Sequence, residues 1–152
     1  MTGLVSRVGT DEIQQRVSAL MRDAFALLLR NAEDAYHAWK DGMLMVEGGW
    51  VTVTPTLVCP CGVDGNSEPG LLISAEAGFS FDESAAAKRM LELSGHLLAT
   101  FDAAIGCNAN GRLILQRAVA VRETTSATLA DKIMATRRLQ RLLDESHVGS
   151  RQ

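Results

Sequence analysis

The sequence predicts an α+β domain: a twisted antiparallel sheet with three helices packed on it, in the order α-β-β-β-α-β-β-α. Three observations carry this prediction. Ile13, Val17, Leu20, Ala24, Leu27 and Leu28 recur at spacings of three and four, the period of a helix with one buried face. From Met43 the pattern changes to short runs separated by glycine-bearing turn signals. A helix-period segment after Ser80 then gives way to two apolar runs joined through Asn110-Gly111.

Residues 1–9 read as a flexible N-terminus, with glycines at 3 and 9. Thr10 suits an N-cap, and Asp11 and Glu12 follow in a first turn, where negative charge is favoured. Met21 and Phe25 widen the apolar face of this first helix, with Arg16, Asp23 and Arg30 opposite. Residues 31–39 either continue it or form a short second helix. Asp41-Gly42 is a turn signal, Met43–Glu47 a short strand, and Gly48-Gly49 a hairpin-type turn. In the strand Trp50–Val58, Val51, Val53 and Leu57 share one face and Thr52, Thr54 and Thr56 the other. Pro55 removes a backbone donor, which marks an edge or bulged strand. Residues 59–70 form a loop, and Leu71–Ala77 a third strand.

Ser80 and Glu83 have capping-box spacing, and the helix they open runs to about Thr100. Ala86, Met90, Leu93 and Leu97 form one stripe on it; Ala87, Leu91, Ser94 and Leu98 form a second beside it. Together they span about 160°, against the roughly 100° that a surface helix needs. Phe101–Cys107 and Arg112–Val121 form a hairpin. On its second strand Leu113, Leu115, Val119 and Val121 share a face, with Arg117 as the exception; Ile114, Gln116, Ala118 and Ala120 form the other. Thr124 to Ser126 cap a last helix, with Leu129, Ile133, Leu139 and Leu143 inward and Arg137, Arg138 and Arg141 outward near its C-terminus. The domain therefore covers residues 10–145, and 146–152 read as a flexible tail.

At 152 residues the chain suits one domain, large enough to bury roughly 70% of its unfolded surface without staples. A net charge of −3 gives no electrostatic reason to expect nucleic acid or an anionic membrane. Aromatic residues are only 5% of the chain, too few for base-stacking platforms. No apolar run is long enough to span a bilayer. The first residues lack the apolar core of a signal peptide, and the cysteines are three, at 59, 61 and 107. An odd count without a secretory signal points to reduced thiols and a cytoplasmic location.

The chemistry-bearing residues form no recognisable centre. Cys59-Pro60-Cys61 offers two thiols where a structural zinc needs four ligands, and none of the histidines, 37, 96 and 147, stands beside it. Its C-x-C spacing is not that of a redox pair. No nucleophile elbow, zinc-protease helix or P-loop is present, and Glu76 and Asp82 do not pattern as a carboxylate pair. The three arginines of the last helix complement its dipole. No catalytic residue, metal or cofactor is expected, and the chain does not read as an enzyme. What stands out is the apolar surplus. Three helices are too few to cover both faces of the sheet, and large apolar patches mark interaction surfaces.

Two segments carry a resemblance. KDGMLMVEGGWVTV resembles the opening hairpin of the class I chaperones of type III secretion. MLELSGHLLATFDAAIGCNANGRLILQRAVAV resembles that family's Leu-rich helix, small-residue strand, Asn-Gly turn and R-L-x-L strand. The likeness covers about residues 10–145 and departs from the family where Ser94 stands in place of a frequent Asn. Size and acidity suit the multi-effector HpaB type. The resemblance implies a cytoplasmic, virulence-associated homodimer that binds an extended N-terminal segment of effector proteins for export, with contact to the secretion-system ATPase. It implies a dimer interface from Met90, Leu91, Ser94 and Leu98 with Ile114, Gln116 and Ala118. It implies effector binding by Leu20, Phe25, Leu28, Val53, Leu71 and Ile73. The alternative is a dimeric α+β regulatory or scaffolding domain without secretion clients.

Overall fold

The computed structural model describes residues 2–58, 67–80, 92–99 and 102–150. Helix α1 (Thr2–Leu28) and helix α2 (Ala32–Asp41) lead into strands β1 (Met43–Val46), β2 (Gly49–Val58) and β3 (Glu68–Ser80). Helix α3 (92–99), strands β4 (Ala104–Cys107) and β5 (Arg112–Ala120), a short 3₁₀ turn (Val121–Glu123) and helix α4 (Ser126–Ser150) complete the chain. The five strands form one sheet in the order β1-β2-β3-β5-β4, antiparallel at every junction. The α+β class and the antiparallel sheet match the sequence reading. The helix count does not: the described residues contain four α-helices, not three.

The extra helix has a local cause. Asn31 has extended backbone angles, and its side-chain oxygen accepts from the amides of Glu33 (2.8 Å) and Asp34 (3.4 Å). An Asn cap followed by two carboxylates in the first turn starts a new helix rather than continuing an old one. Gly42 closes α2 in the left-handed region (φ +69°), its amide bonded to the Ala38 carbonyl.

The first and last helices reach further toward the ends of the chain than the sequence suggested. Helix α1 begins at Thr2, so Thr10 lies inside it rather than capping it, and α4 continues to Ser150. Adding residues to an existing helix costs far less than nucleating one, so two glycines and a polar tail do not end it. Strand β3 runs from Glu68 to Ser80, longer at both ends than expected, and the capping box expected at Ser80 and Glu83 extends outside the described residues. Residues 81–91 lie outside the described part, as do Cys59 and Cys61.

The turns also sit one step from where they were expected. The β1–β2 turn is Glu47-Gly48, with φ of +48° and +78°, and Val46 pairs with Gly49. Positive φ at both central residues matches the right-handed twist of a two-residue hairpin. Between β4 and β5, Gly111 alone takes positive φ, while the Asn108 side chain accepts from the amides of Asn110 and Arg112, both at 2.9 Å.

The core lies on one face of the sheet. Val17, Met21, Ala24 and Phe25 of α1 and Leu129, Ala130 and Ile133 of α4 pack with Leu44, Val51, Val53, Leu71, Ile73 and Val119. A second cluster joins Leu97 of α3 and Leu143 of α4 to Ala77, Leu113 and Leu115. Alternation puts Met43, Met45, Trp50, Leu72, Ile114 and Ala118 on the opposite face. Among the described residues, every helix contributes to the first face, and none packs on the second.

Candidate functional site

Among the described residues two surfaces remain open: one follows from the unequal lengths of the first two strands, the other from the packing of the helices on a single face of the sheet. Strand β1 has four residues and β2 has ten. The β1 ladder ends at the pair Met43–Thr52, so β2 continues past its neighbour. On its other side it pairs with β3 from Thr52–Ser74 to Val58–Glu68. The outer half of β2 is thus an interior strand on one side and an open edge on the other.

That open half forms one wall of a groove of about 820 Å³. The α1 residues Ile13, Val17 and Met21 make the facing wall; Trp39, Pro55, Leu57 and Pro69 add apolar surface, and Lys40 and Asp41 also line it. The Trp39 indole donates to the Ser18 carbonyl at 3.1 Å, which ties α2 to α1 at the mouth of the groove. Ile13 is 43% exposed and Leu57 69% exposed. A site of this kind, apolar walls beside unpaired strand backbone, accepts an extended peptide: main-chain bonds hold it and pockets select its side chains.

The second surface is the outer face of the sheet. Trp50 is 54% exposed and Met45 48%, side by side in register, with Met43 beyond them. Leu72, Ile114 and Gln116 are half-buried and Ala118 is exposed on the same face.

A clamp fixes the hairpin between these surfaces. Arg137 of α4 donates from Nε to the Val46 carbonyl and from a guanidinium nitrogen to the Glu47 carbonyl, each at 3.1 Å. Arg138 reaches the Glu47 carboxylate at 3.2 Å and Arg141 at 3.8 Å. The hydrogen bond from Arg138 is the main reason the Glu47 carboxyl is held below its ordinary pKa; desolvation opposes it, and the charges of Arg138, Arg141 and Arg137 add to the lowering. These arginines therefore lie in the middle of α4 and hold a strained turn; they do not decorate a helix terminus. Gln140 and Asp144 continue the line, donating to the Glu76 carbonyl and accepting from the Gly78 amide at 2.8 Å respectively.

The effector-contact set is mostly core, and of its members Val53 lines the groove. Phe25, Val53, Leu71 and Ile73 are fully buried in the main cluster, and Leu20 and Leu28 are partly buried against it. They hold α1 to the sheet and offer little surface to a partner. The periodicity that singled them out marks an inward face, and an inward face of a sheet-packed helix is core. Groove residues Ile13, Trp39, Leu57 and Pro69 were missed. The mismatch between a short first strand and a long second one was the available signal.

The dimer set is divided. Ser94 and Leu98 sit on α3, whose Leu93 and Leu97 pack toward the inner face, and Leu98 itself is exposed. Ile114, Gln116 and Ala118 lie on the outer face of β5. Met90 and Leu91 fall outside the described residues. Glu76 accepts from Arg112 at 3.1 Å and from Asn108 at 3.4 Å. His96 is exposed on α3, and Cys107 is an exposed free thiol. Among the described residues, no cluster of three or more His, Cys, Asp or Glu side chains could hold a metal, and no helix is long and apolar enough to cross a membrane. Neither a protein-family model nor a curated protein matches the chain.

Proposed function

We propose that this protein is a homodimeric chaperone that binds an extended segment near the N-terminus of a secreted effector, keeps it non-globular and delivers it for export. The observation that carries the reading is the open half-edge of β2 beside its apolar groove. A client strand laid there gains main-chain bonds without folding into a domain of its own. Ordering such a segment costs roughly 2–5 kcal/mol, which burying on the order of 1,000–3,000 Å² offsets. The outer face, which none of the described helices covers and where Trp50 and Met45 are exposed on β1 and β2, supports the twin subunit. The type III secretion context, and contact with the export ATPase, rest on the resemblance of the hairpin and of the 90–121 region to class I chaperones. Nothing in this mechanism uses a chemical step.

The test mixes the full chain with the N-terminal segments of type III effectors from the same genome. The wild type should capture at least one, and the captured segment should stay protease-sensitive outside its bound stretch. Ile13→Asp puts a charge into the groove wall and should weaken capture about tenfold or more, with the melting temperature unchanged because Ile13 is half-exposed. A dimer that captures none of these segments favours the regulatory or scaffolding alternative.

A further inference from the structure

We propose that Pro55 makes the open half of β2 an acceptor-biased edge, which sets the register of a docked foreign strand and disfavours pairing with a second copy of the same edge. The inference deepens the client-binding reading and takes the identity of the occupant from it. Successive residues of a strand turn their main-chain groups to opposite sides. The Val53 amide donates across the β1 side to the Gly42 carbonyl at 2.8 Å. Pro55 and Leu57 share that parity, so their main-chain groups face the open side; those of Thr54, Thr56 and Val58 face β3.

The hydrogen-bonding capacity of the edge follows. Pro55 has no N–H, and a proline in a sheet is tolerated where its missing donor faces solvent. The Gly42 amide, which could have served the Val53 carbonyl, is bonded to Ala38 instead. Beyond β1 the edge therefore presents the carbonyls of Pro55 and Leu57 but only one donor, the Leu57 N–H. A docking strand must bring two N–H groups spaced two residues apart, and receives one in return. A second copy of this edge, centred antiparallel on Thr56, would supply each Pro55 carbonyl from the opposing Leu57. Both Leu57 carbonyls would be left without a donor, at the penalty that an unpaired buried acceptor carries. A foreign strand without proline at the two facing positions satisfies all three groups. Its side chains on one face then enter the groove between Ile13, Met21 and Trp39. The occupant is thus an extended, apolar peptide segment selected by its amides, and Pro55 acts as the guard that natural edge strands use against self-pairing.

Variants of the full chain test this. Leu57→Pro removes an outward donor together with an exposed groove side chain, so its melting temperature should stay within about 2 °C of wild type, while capture of the effector segment falls about tenfold and further than in Leu57→Ala, which keeps the donor. Thr56→Pro removes a β2–β3 ladder bond and should melt at least about 5 °C lower. Pro55→Val restores the missing donor and should raise the light-scattering mass above that of wild type as concentration increases. Equal melting losses for Leu57→Pro and Thr56→Pro would overturn the assigned register. Wild-type association by Pro55→Val, or capture by Leu57→Pro as strong as by Leu57→Ala, would overturn the role of the edge. The melting and mass measurements need no client, so a chain that meets them yet captures no effector segment loses the chaperone reading and keeps the acceptor-biased edge.

Discussion

Replacing Phe25 by alanine separates a core role from a docking role for α1. Phe25 is 0% exposed and packs in the cluster that joins α1 and α4 to β2 and β3. Removing a fully buried aromatic ring costs about 3–5 kcal/mol, the transfer term plus the cavity that its neighbours cannot close. A domain of this size loses about 2–4 °C of melting temperature per kcal/mol, so Phe25→Ala should melt about 6–20 °C lower. Against a typical total of about 5–15 kcal/mol, this is a large share of the stability. Urea unfolding followed by circular dichroism gives the energy directly, and an unchanged slope shows that the transition remains two-state. Ile13→Ala on the same helix is the control, expected within about 0.5 kcal/mol of wild type because its side chain is half in solvent. A Phe25→Ala protein as stable as wild type would refute the packing of α1 on the sheet, and with it the facing wall of the groove.

Two other outcomes follow from the turn and the outer face. Glu47 has a folded pKa below its ordinary value of 4.5, so its contribution is present above that value and is lost as pH falls through the lower, folded one. The melting-temperature gap between wild type and Glu47→Gln should therefore be open at pH 7 and close toward pH 3; a gap that persists or widens in acid contradicts the Arg138 contact. Trp50→Asp places a charge on the β1–β2 part of the outer face and should halve the mass seen by light scattering if that part joins two subunits, while an intact dimer moves the interface elsewhere.

The sequence determined the elements that local pattern controls. The 3.6-residue period of Val17, Met21, Ala24 and Phe25, the alternation of Val51 and Val53, and the inward set Leu129, Ile133, Leu139 and Leu143 all reappear as packed faces. Asn31, followed by Glu33 and Asp34, carried a cap signal, yet the sequence left open whether one helix continues through it or a second begins. Pro55 announced an edge, correctly for half of β2 and for one side of it. What the sequence could not decide is which apolar residues stay dry and which remain to be shared. Burial is a property of the assembled layers: Phe25 and Ile13 belong to one helix, yet one is sealed beneath the sheet and the other faces a groove. Only the tertiary structure put all the described helices on one face and let β2 outrun β1, because side-chain period fixes direction along an element while the pairing of distant segments fixes what that direction meets.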